Sequence, residues 1–259
     1  MNVKKEPYSL LDNSRFYILA FSIILSVTIF AWLRLSVDSD QLFLIRTQQC
    51  YGLICLLFWY VALIVSPLGH VVGKHRMKRV EFARRAIGVS AFYFAALHAA
   101  IALFGQLGGV GQIQYLPELF KWSLAGGAFA LVVLGSMAAT SFDRVIRFMT
   151  FRKWKWLHRL GYIAGVLVIL HIWTIGTHMA YVEMQLAGYG ALVILIGLEL
   201  FRVVKALSGN YLKFDAIERA VLWLTLWAVA AVLLLAMPWY VQNYHSRHVD
   251  HGGHGQVEQ

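Results

Sequence analysis

Seven stretches of apolar residues, each near the length that crosses a lipid bilayer, place the strongest constraint on the fold of this chain. About 20 residues of α-helix span the hydrocarbon core, and only helices and closed barrels can satisfy their backbone polar groups there. Of the 259 residues, 59% are hydrophobic and 14% are charged, whereas soluble domains carry about 25% charged residues. The sequence therefore predicts an all-α integral membrane helical bundle. The expected spans are residues 16–33, 50–69, 83–104, 120–140, 157–177, 183–201 and 220–241.

The basic residues lie almost entirely on alternate connections between these segments. Of the 23 lysines and arginines, 19 fall in the N-terminal segment or in the connections 70–85, 141–159 and 202–219. Cytoplasmic loops carry such an excess, so the pattern predicts a cytoplasmic N-terminus and a C-terminus outside. Seven spans require the same opposite placement of the termini. The net charge of +10 is therefore explained by the basic cytoplasmic connections, which can also bind anionic lipid headgroups. No nucleic-acid-binding motif accompanies the charge.

The expected organisation is one membrane domain with two short polar ends. Residues 1–15 form a cytoplasmic N-terminal segment, residues 16–241 form the transmembrane domain, and residues 242–259 form an outer tail. No dinucleotide-binding G-x-G-x-x-G pattern occurs, and no long polar region is left for a soluble redox domain. Any reducing equivalents are therefore expected from a separate reductase, a bound flavin or a membrane quinol.

Three histidines inside apolar segments are the main candidate functional residues: His98, His158 and His171. Ionisable side chains are costly in a membrane and indicate function by default, and neutral imidazole is the usual axial ligand of haem iron. His98 lies fourteen residues beyond Arg84, and His171 lies thirteen beyond His158, on segments that both run outward. At 1.5 Å per residue, both imidazoles are expected roughly 20 Å from the inner boundary. If the two helices are neighbours, His98 and His171 are predicted to ligate one b-type haem.

His158 lies near the cytoplasmic boundary, where the matching positions of the third segment are Arg84 and Arg85. Arginine does not ligate iron, but its guanidinium binds haem propionates or lipid phosphates. At about 100° per residue, His158 and His171 point roughly 140° apart on one straight helix. Either they face different partners, or the helix is distorted at the glycines of 161–165. A second, inner haem therefore stays open.

The C-terminal tail carries four histidines at intervals of three residues. Histidine-rich tracts bind Zn²⁺, Cu²⁺ or Ni²⁺, so the tail is a candidate site for metal capture. Two adjacent glycines oppose a rigid preformed site, and a solvated tail is the alternative. The four residues are His245, His248, His251 and His254.

Four short motifs occur in order along the chain: Ser66-Pro67-Leu68, Arg84-Arg85-Ala86-Ile87-Gly88, Thr140-Ser141-Phe142-Asp143-Arg144 and Trp154-Lys155-Trp156-Leu157-His158-Arg159-Leu160-Gly161-Tyr162. Over roughly residues 50–200, the sequence thereby resembles the ferric-reductase-like transmembrane family. Within it, the chain looks like the haem-binding membrane subunits of bacterial periplasmic methionine sulfoxide reductase systems. The sequence departs from the family core in its extra segment near 220–241 and its histidine-bearing tail.

The resemblance implies a helical bundle in the bacterial inner (cytoplasmic) membrane that binds haem b and carries electrons across the membrane. It implies haem ligands at His98 and His171, and a ligand or haem-proximal role for His158, with Arg84 and Arg85 as further cofactor-binding residues. One haem is expected, a second stays open, and FMN or a quinone is a further candidate cofactor. The implied donor is a quinol, a flavin or a separate reductase, and the implied partner is a periplasmic reductase subunit.

Two alternative functions stay open at this point. One is a stand-alone ferric or cupric reductase that uses the outer histidine tail. The other is a non-redox structural subunit or a metal transporter with histidines along its path, which predicts no haem spectrum. The leading expectation is a membrane cytochrome b that serves as the electron-transfer haem subunit of an oxidoreductase. Outer-sphere transfer of this kind needs no covalent catalysis by the chain itself.

Overall fold

The computed structural model describes residues 10–176 and 182–208, and every regular element within these ranges is a helix. Six helical stretches there are long and apolar enough to cross a membrane. They correspond to the first six predicted segments, and the predicted seventh, 220–241, lies outside the described residues. The expectation of an all-α membrane bundle is confirmed. The α-helices are α1 Leu10–Ser36, α2 Asp40–Val72, α3 Lys74–Ala100, α4 Glu118–Ala139, α5 Asp143–Met149, α6 Phe151–Ile175 and α7 Val182–Ser208.

The basic connections 70–85 and 141–159 are largely helical, whereas the sequence suggested loops. Gly73 alone separates α2 from α3, and α5 and α6 cover most of 141–159. Gly73 has φ = +104°, which glycine adopts without a steric penalty, and its N–H donates to the carbonyl oxygen of Gly69 at 3.1 Å. Lysine and arginine are good helix formers, so these helices continue past the hydrocarbon boundary that hydropathy marks.

Polar side chains hold α1 and α2 against α3, the helix that carries the first candidate histidine. The Ser22 hydroxyl donates to Ser90 Oγ at 2.8 Å, and the hydroxyl oxygens of Ser26 and Tyr93 lie 2.7 Å apart. The Tyr51 hydroxyl on α2 donates to the carbonyl oxygen of Ser26 at 2.8 Å. Hydrogen bonds between helices stabilise packing in a membrane, where the hydrophobic effect contributes little between apolar surfaces. These bonds therefore tie three helices together around α3.

Contacts group the described residues into two compact units. The first contains the described residues up to Leu116 together with Phe129–Ala164, and the second contains Pro117–Ala128 with the described residues from Gly165 onward. His98 and His158 belong to the first unit, and His171 belongs to the second. A π-helical turn, Ile101–Gln106, extends α3 at its C-terminal end, and a 3₁₀-helix, Val110–Tyr115, follows it.

Candidate functional site

His98 lies on α3 and is hydrogen-bonded to the neighbouring helix α2. Its Nδ1 is 3.0 Å from the backbone carbonyl oxygen of Gln48. Because a carbonyl oxygen can only accept, Nδ1 carries the proton, and the neutral ring has its basic lone pair on Nε2. A histidine that ligates a metal through Nε2 has this tautomer, and the carbonyl acceptor sets the orientation of its ring.

His171 lies on α6 and makes the same kind of contact with α4. Its Nδ1 is 3.0 Å from the backbone carbonyl oxygen of Ser123, which again assigns the proton to Nδ1. The Ser123 hydroxyl oxygen lies 3.3 Å from the same nitrogen and donates to the carbonyl oxygen of His171 at 3.4 Å. His171 is therefore held to α4 through both its ring and its backbone.

Two further histidines have an Nδ1 contact with a carbonyl of their own helix. His70 Nδ1 lies 3.0 Å from the carbonyl oxygen of Ser66, and His158 Nδ1 lies 3.1 Å from that of Trp154. Each acceptor is four residues earlier in the same helix, which is a contact that any helical histidine can make. The Nδ1 contacts of His98 with Gln48 and of His171 with Ser123 instead join two helices, and this separates the predicted ligand pair from the other two histidines.

Basic and aromatic side chains of the first unit cluster around His158. The rings of Trp154 and His158 lie 4.0 Å apart between centroids, and the Arg85 guanidinium lies 5.6 Å from the Trp154 ring centroid. Trp154 Nε1 donates to the carbonyl oxygen of Thr140 at 3.1 Å, which fixes the indole. Arg84 Nε donates to the carbonyl oxygen of Ala62 at 2.7 Å.

Both guanidinium groups are close enough to His158 to interact with it electrostatically. Arg84, Arg85, Trp154 and His158 are called the inner cluster below. Two fixed positive charges beside an imidazole and an indole suit the anionic edge of a planar molecule better than they suit a bare metal ion.

The α6 helix runs without a break from Phe151 to Ile175. No break in the helix occurs at the glycines of 161–165, and the two histidines have different hydrogen-bond partners. His171 bonds to α4, whereas His158 bonds to its own helix and stacks on Trp154.

Sequence reasoning missed three parts of this arrangement. In the sequence, Trp154 is only part of a motif, but its ring centroid lies 4.0 Å from that of His158 and 5.6 Å from the Arg85 guanidinium. Its four-residue separation from His158 was the available signal, because positions i and i+4 share a helix face. The acceptors at Gln48 and Ser123 are backbone carbonyls, so their side chains give no signal of this role.

The predicted tail site lies outside the described residues, since His245, His248, His251 and His254 all follow residue 208. Within the ranges that the structure does describe, no group of three or more His, Cys, Asp or Glu residues is placed to hold a bare metal ion. Among the described residues, the candidate haem ligands therefore do not belong to a cluster that would hold a bare metal ion.

Comparison with known proteins matches residues 48–169 to a family described as ferric reductase like transmembrane component. The matched stretch contains His98, His158 and the inner-cluster arginines, and it ends two residues before His171. No solved structure shows a significant match to the chain.

Several curated relatives are bacterial proteins named protein-methionine-sulfoxide reductase heme-binding subunit MsrQ. The one from Ralstonia nicotianae is 31% identical over 161 residues, which is 57% of this chain and 72% of the relative. The one from Bordetella pertussis is 32% identical over 133 residues, covering 51% of this chain and 60% of the relative. The one from Pasteurella multocida is 27% identical over 146 residues, covering 56% and 70%. The chain therefore belongs to the ferric-reductase-like transmembrane family, alongside these MsrQ subunits.

Proposed function

We propose that the chain is a membrane cytochrome b, an electron-transfer haem subunit that passes electrons to an acceptor outside the cytoplasmic membrane. The observation that carries this proposal is the shared state of His98 and His171. Each has its Nδ1 proton bound by a carbonyl oxygen on another helix, which leaves Nε2 as the basic nitrogen. Membership of the family and the haem-binding MsrQ relatives support the proposal.

The two imidazoles have the chemistry that axial ligation of a haem requires. Each ring donates its Nδ1 proton to a carbonyl, which selects the tautomer that a ligand through Nε2 needs, and both lie in apolar spans. His98 and His171 would hold the iron through Nε2, and the haem supplies reversible one-electron chemistry when bound. Their equal distance along the chain from the inner boundary, roughly 20 Å in each case, supports one shared haem.

The inner cluster is the proposed contact for an anionic group on the cytoplasmic side. Arg84 and Arg85 present positive charge, and His158 and Trp154 present ring faces. Haem propionates and the phosphate of a lipid or a flavin share the anionic chemistry that this cluster would bind. His158 is assigned a haem-proximal role, because its Nδ1 contact lies within its own helix and the charges of Arg84 and Arg85 act on it.

The proposed direction of transfer is from inside to outside a bacterial inner membrane. A quinol, a flavin or a separate reductase would donate electrons near the inner cluster. The relatives are named as subunits of protein-methionine-sulfoxide reductase, so the proposed acceptor is a periplasmic reductase subunit. The excess of basic residues on alternate connections supports this orientation.

Transmembrane electron transfer can be measured in sealed proteoliposomes that contain trapped ferricyanide and receive dithionite outside. Vesicles with the full-length chain are expected to reduce the trapped ferricyanide, because the bound haem would connect the two faces. Vesicles with the His98→Ala variant are expected to match protein-free vesicles. Equal rates with the unaltered chain, the variant and no protein would contradict the proposal. His70→Ala is the control, because His70 also contacts a backbone carbonyl through Nδ1 but is not a proposed ligand. This variant should leave the rate of ferricyanide reduction unchanged.

A further inference from the structure

The ring of each proposed ligand lies directly against a glycine of the helix that binds it. A Cβ atom built on Gly52 of α2 would lie 2.8 Å from His98 Nδ1 and 3.1 Å from His98 Cε1. A Cβ atom built on Gly127 of α4 would lie 2.9 Å from His171 Nδ1 and 3.1 Å from His171 Cε1. Contacts below 3.0 Å essentially never occur for real Cβ atoms, so no side chain fits at either position without moving the imidazole.

Both glycines stand four residues after the carbonyl that accepts the imidazole proton. Gln48 precedes Gly52 by four residues on α2, and Ser123 precedes Gly127 by four on α4. In an α-helix the carbonyl of residue i accepts the N–H of residue i+4, and the Cβ of residue i+4 tilts back toward that carbonyl. A carbonyl oxygen has two lone pairs, so the second can accept an imidazole N–H only where the space beside it is open.

We propose that Gly52 and Gly127 are positioning residues for the two imidazoles. Each glycine exposes the second lone pair of a helical carbonyl and lets the imidazole lie flat on the helix backbone. The carbonyl then fixes the proton on Nδ1 and the plane of the ring. The same pairing of carbonyl and glycine, called a seat here, occurs once in each compact unit. The consequence for haem rests on the proposed function, whereas the contact between glycine and imidazole does not.

The first test is a double-mutant cycle on the thermal stability of the full-length chain in detergent, which requires no haem. Alanine ordinarily stabilises a helix interior relative to glycine, because glycine loses more backbone entropy. Gly52→Ala is nevertheless expected to lower Tm when His98 is present, and to leave Tm unchanged or raised in the His98→Ala background. Gly127→Ala is expected to behave in the same way with His171. Equal Tm changes with and without the histidine would overturn the proposal that these glycines position the imidazoles.

Gly126→Ala is the matched control for this cycle. Gly126 is adjacent to Gly127 on α4, but a Cβ there would meet Leu167 at an ordinary 3.9 Å. Its Tm change is expected to be the same with and without His171. If Gly52→Ala alone fails to fold, the double variant with His98→Ala should fold as well as His98→Ala does. Failure of that double variant would equally overturn the seat at Gly52.

The second test follows the haem itself by electron paramagnetic resonance and redox titration. Gly52→Ala and Gly127→Ala are expected to lose haem, or to shift the low-spin signal and the midpoint potential, while Gly126→Ala keeps the signal of the unaltered chain. Haem-bound variants with unchanged signal and potential would overturn the positioning role and leave the proposed function intact. A chain without haem would overturn the proposed function, and the stability cycle would still decide on the seats.

Discussion

His98→Ala and His171→Ala are each expected to remove nearly all of the haem from the purified protein. Each substitution deletes a proposed haem ligand and also a hydrogen bond that joins two helices. Ligation by the remaining histidine alone leaves the iron with one strong protein bond, and the apolar spans offer little to replace the other. Haem quantified per chain by the pyridine haemochrome method checks this result, and full retention in either variant would contradict the assignment.

Two controls separate loss of a ligand from loss of packing. His98→Gln keeps a side-chain N–H that can donate toward the carbonyl of Gln48, but it provides no imidazole lone pair for iron. This variant is expected to remain monodisperse on size-exclusion chromatography and still to lack haem. His70→Ala removes a histidine whose Nδ1 contacts the carbonyl oxygen of Ser66 on its own helix, and it is expected to keep the haem.

Replacing Arg84 and Arg85 together by glutamine is expected to slow electron delivery from an anionic donor on the inner side, because the inner cluster loses both positive charges. The two guanidinium groups act on His158, and Arg85 also lies over the Trp154 ring. A hydrogen bond to a charged group contributes about 1.5–3 kcal/mol, so an anionic group at the inner cluster should bind roughly ten- to hundredfold more weakly. Haem reduction by reduced FMN, whose phosphate is the anionic group, measures this effect in proteoliposomes, and dithionite measures the total reducible haem.

The ion pair between Glu118 and Lys121 supplies the control for this charge change. Lys121 donates to Glu118 at 2.8 Å on the exposed start of α4. Lys121→Gln also removes one positive charge, but it is expected to leave the rate of haem reduction by reduced FMN unchanged. Arg84→Lys should recover only part of the rate, because lysine keeps the charge without the planar guanidinium that donates to the carbonyl of Ala62. A double glutamine variant with the rate of the unaltered chain would contradict the role of the inner cluster.

The membrane fold was predictable because apolar runs of spanning length leave few other structures available. The ends of the helices were not, since hydropathy marks the edge of the hydrocarbon and not the last helical hydrogen bond. This is why 70–85 and 141–159 read as connections although α2, α3, α5 and α6 occupy most of them. Only Gly73, with its positive φ, interrupts the helix between α2 and α3.

The candidate histidines were predictable from the high cost of an ionisable side chain inside an apolar segment. Their environment was not, because it is built from groups without a distinctive side chain. The acceptors of His98 and His171 are backbone carbonyls, and the rings rest on Gly52 and Gly127. Glycine in a membrane helix has many roles, so the sequence alone does not single out these two. Only the pairing of helices in space connects each glycine with its histidine.

The most direct measurement is a reduced-minus-oxidised absorption spectrum of the purified full-length protein, with haem quantified per chain. If His98 and His171 ligate haem b, the spectrum will have the narrow α-band of a low-spin b-type cytochrome, and the haem will be stoichiometric with the chain. The signal will disappear in both His98→Ala and His171→Ala. Absence of any b-type signal after expression with adequate haem would contradict the central claim that this chain is a membrane cytochrome b.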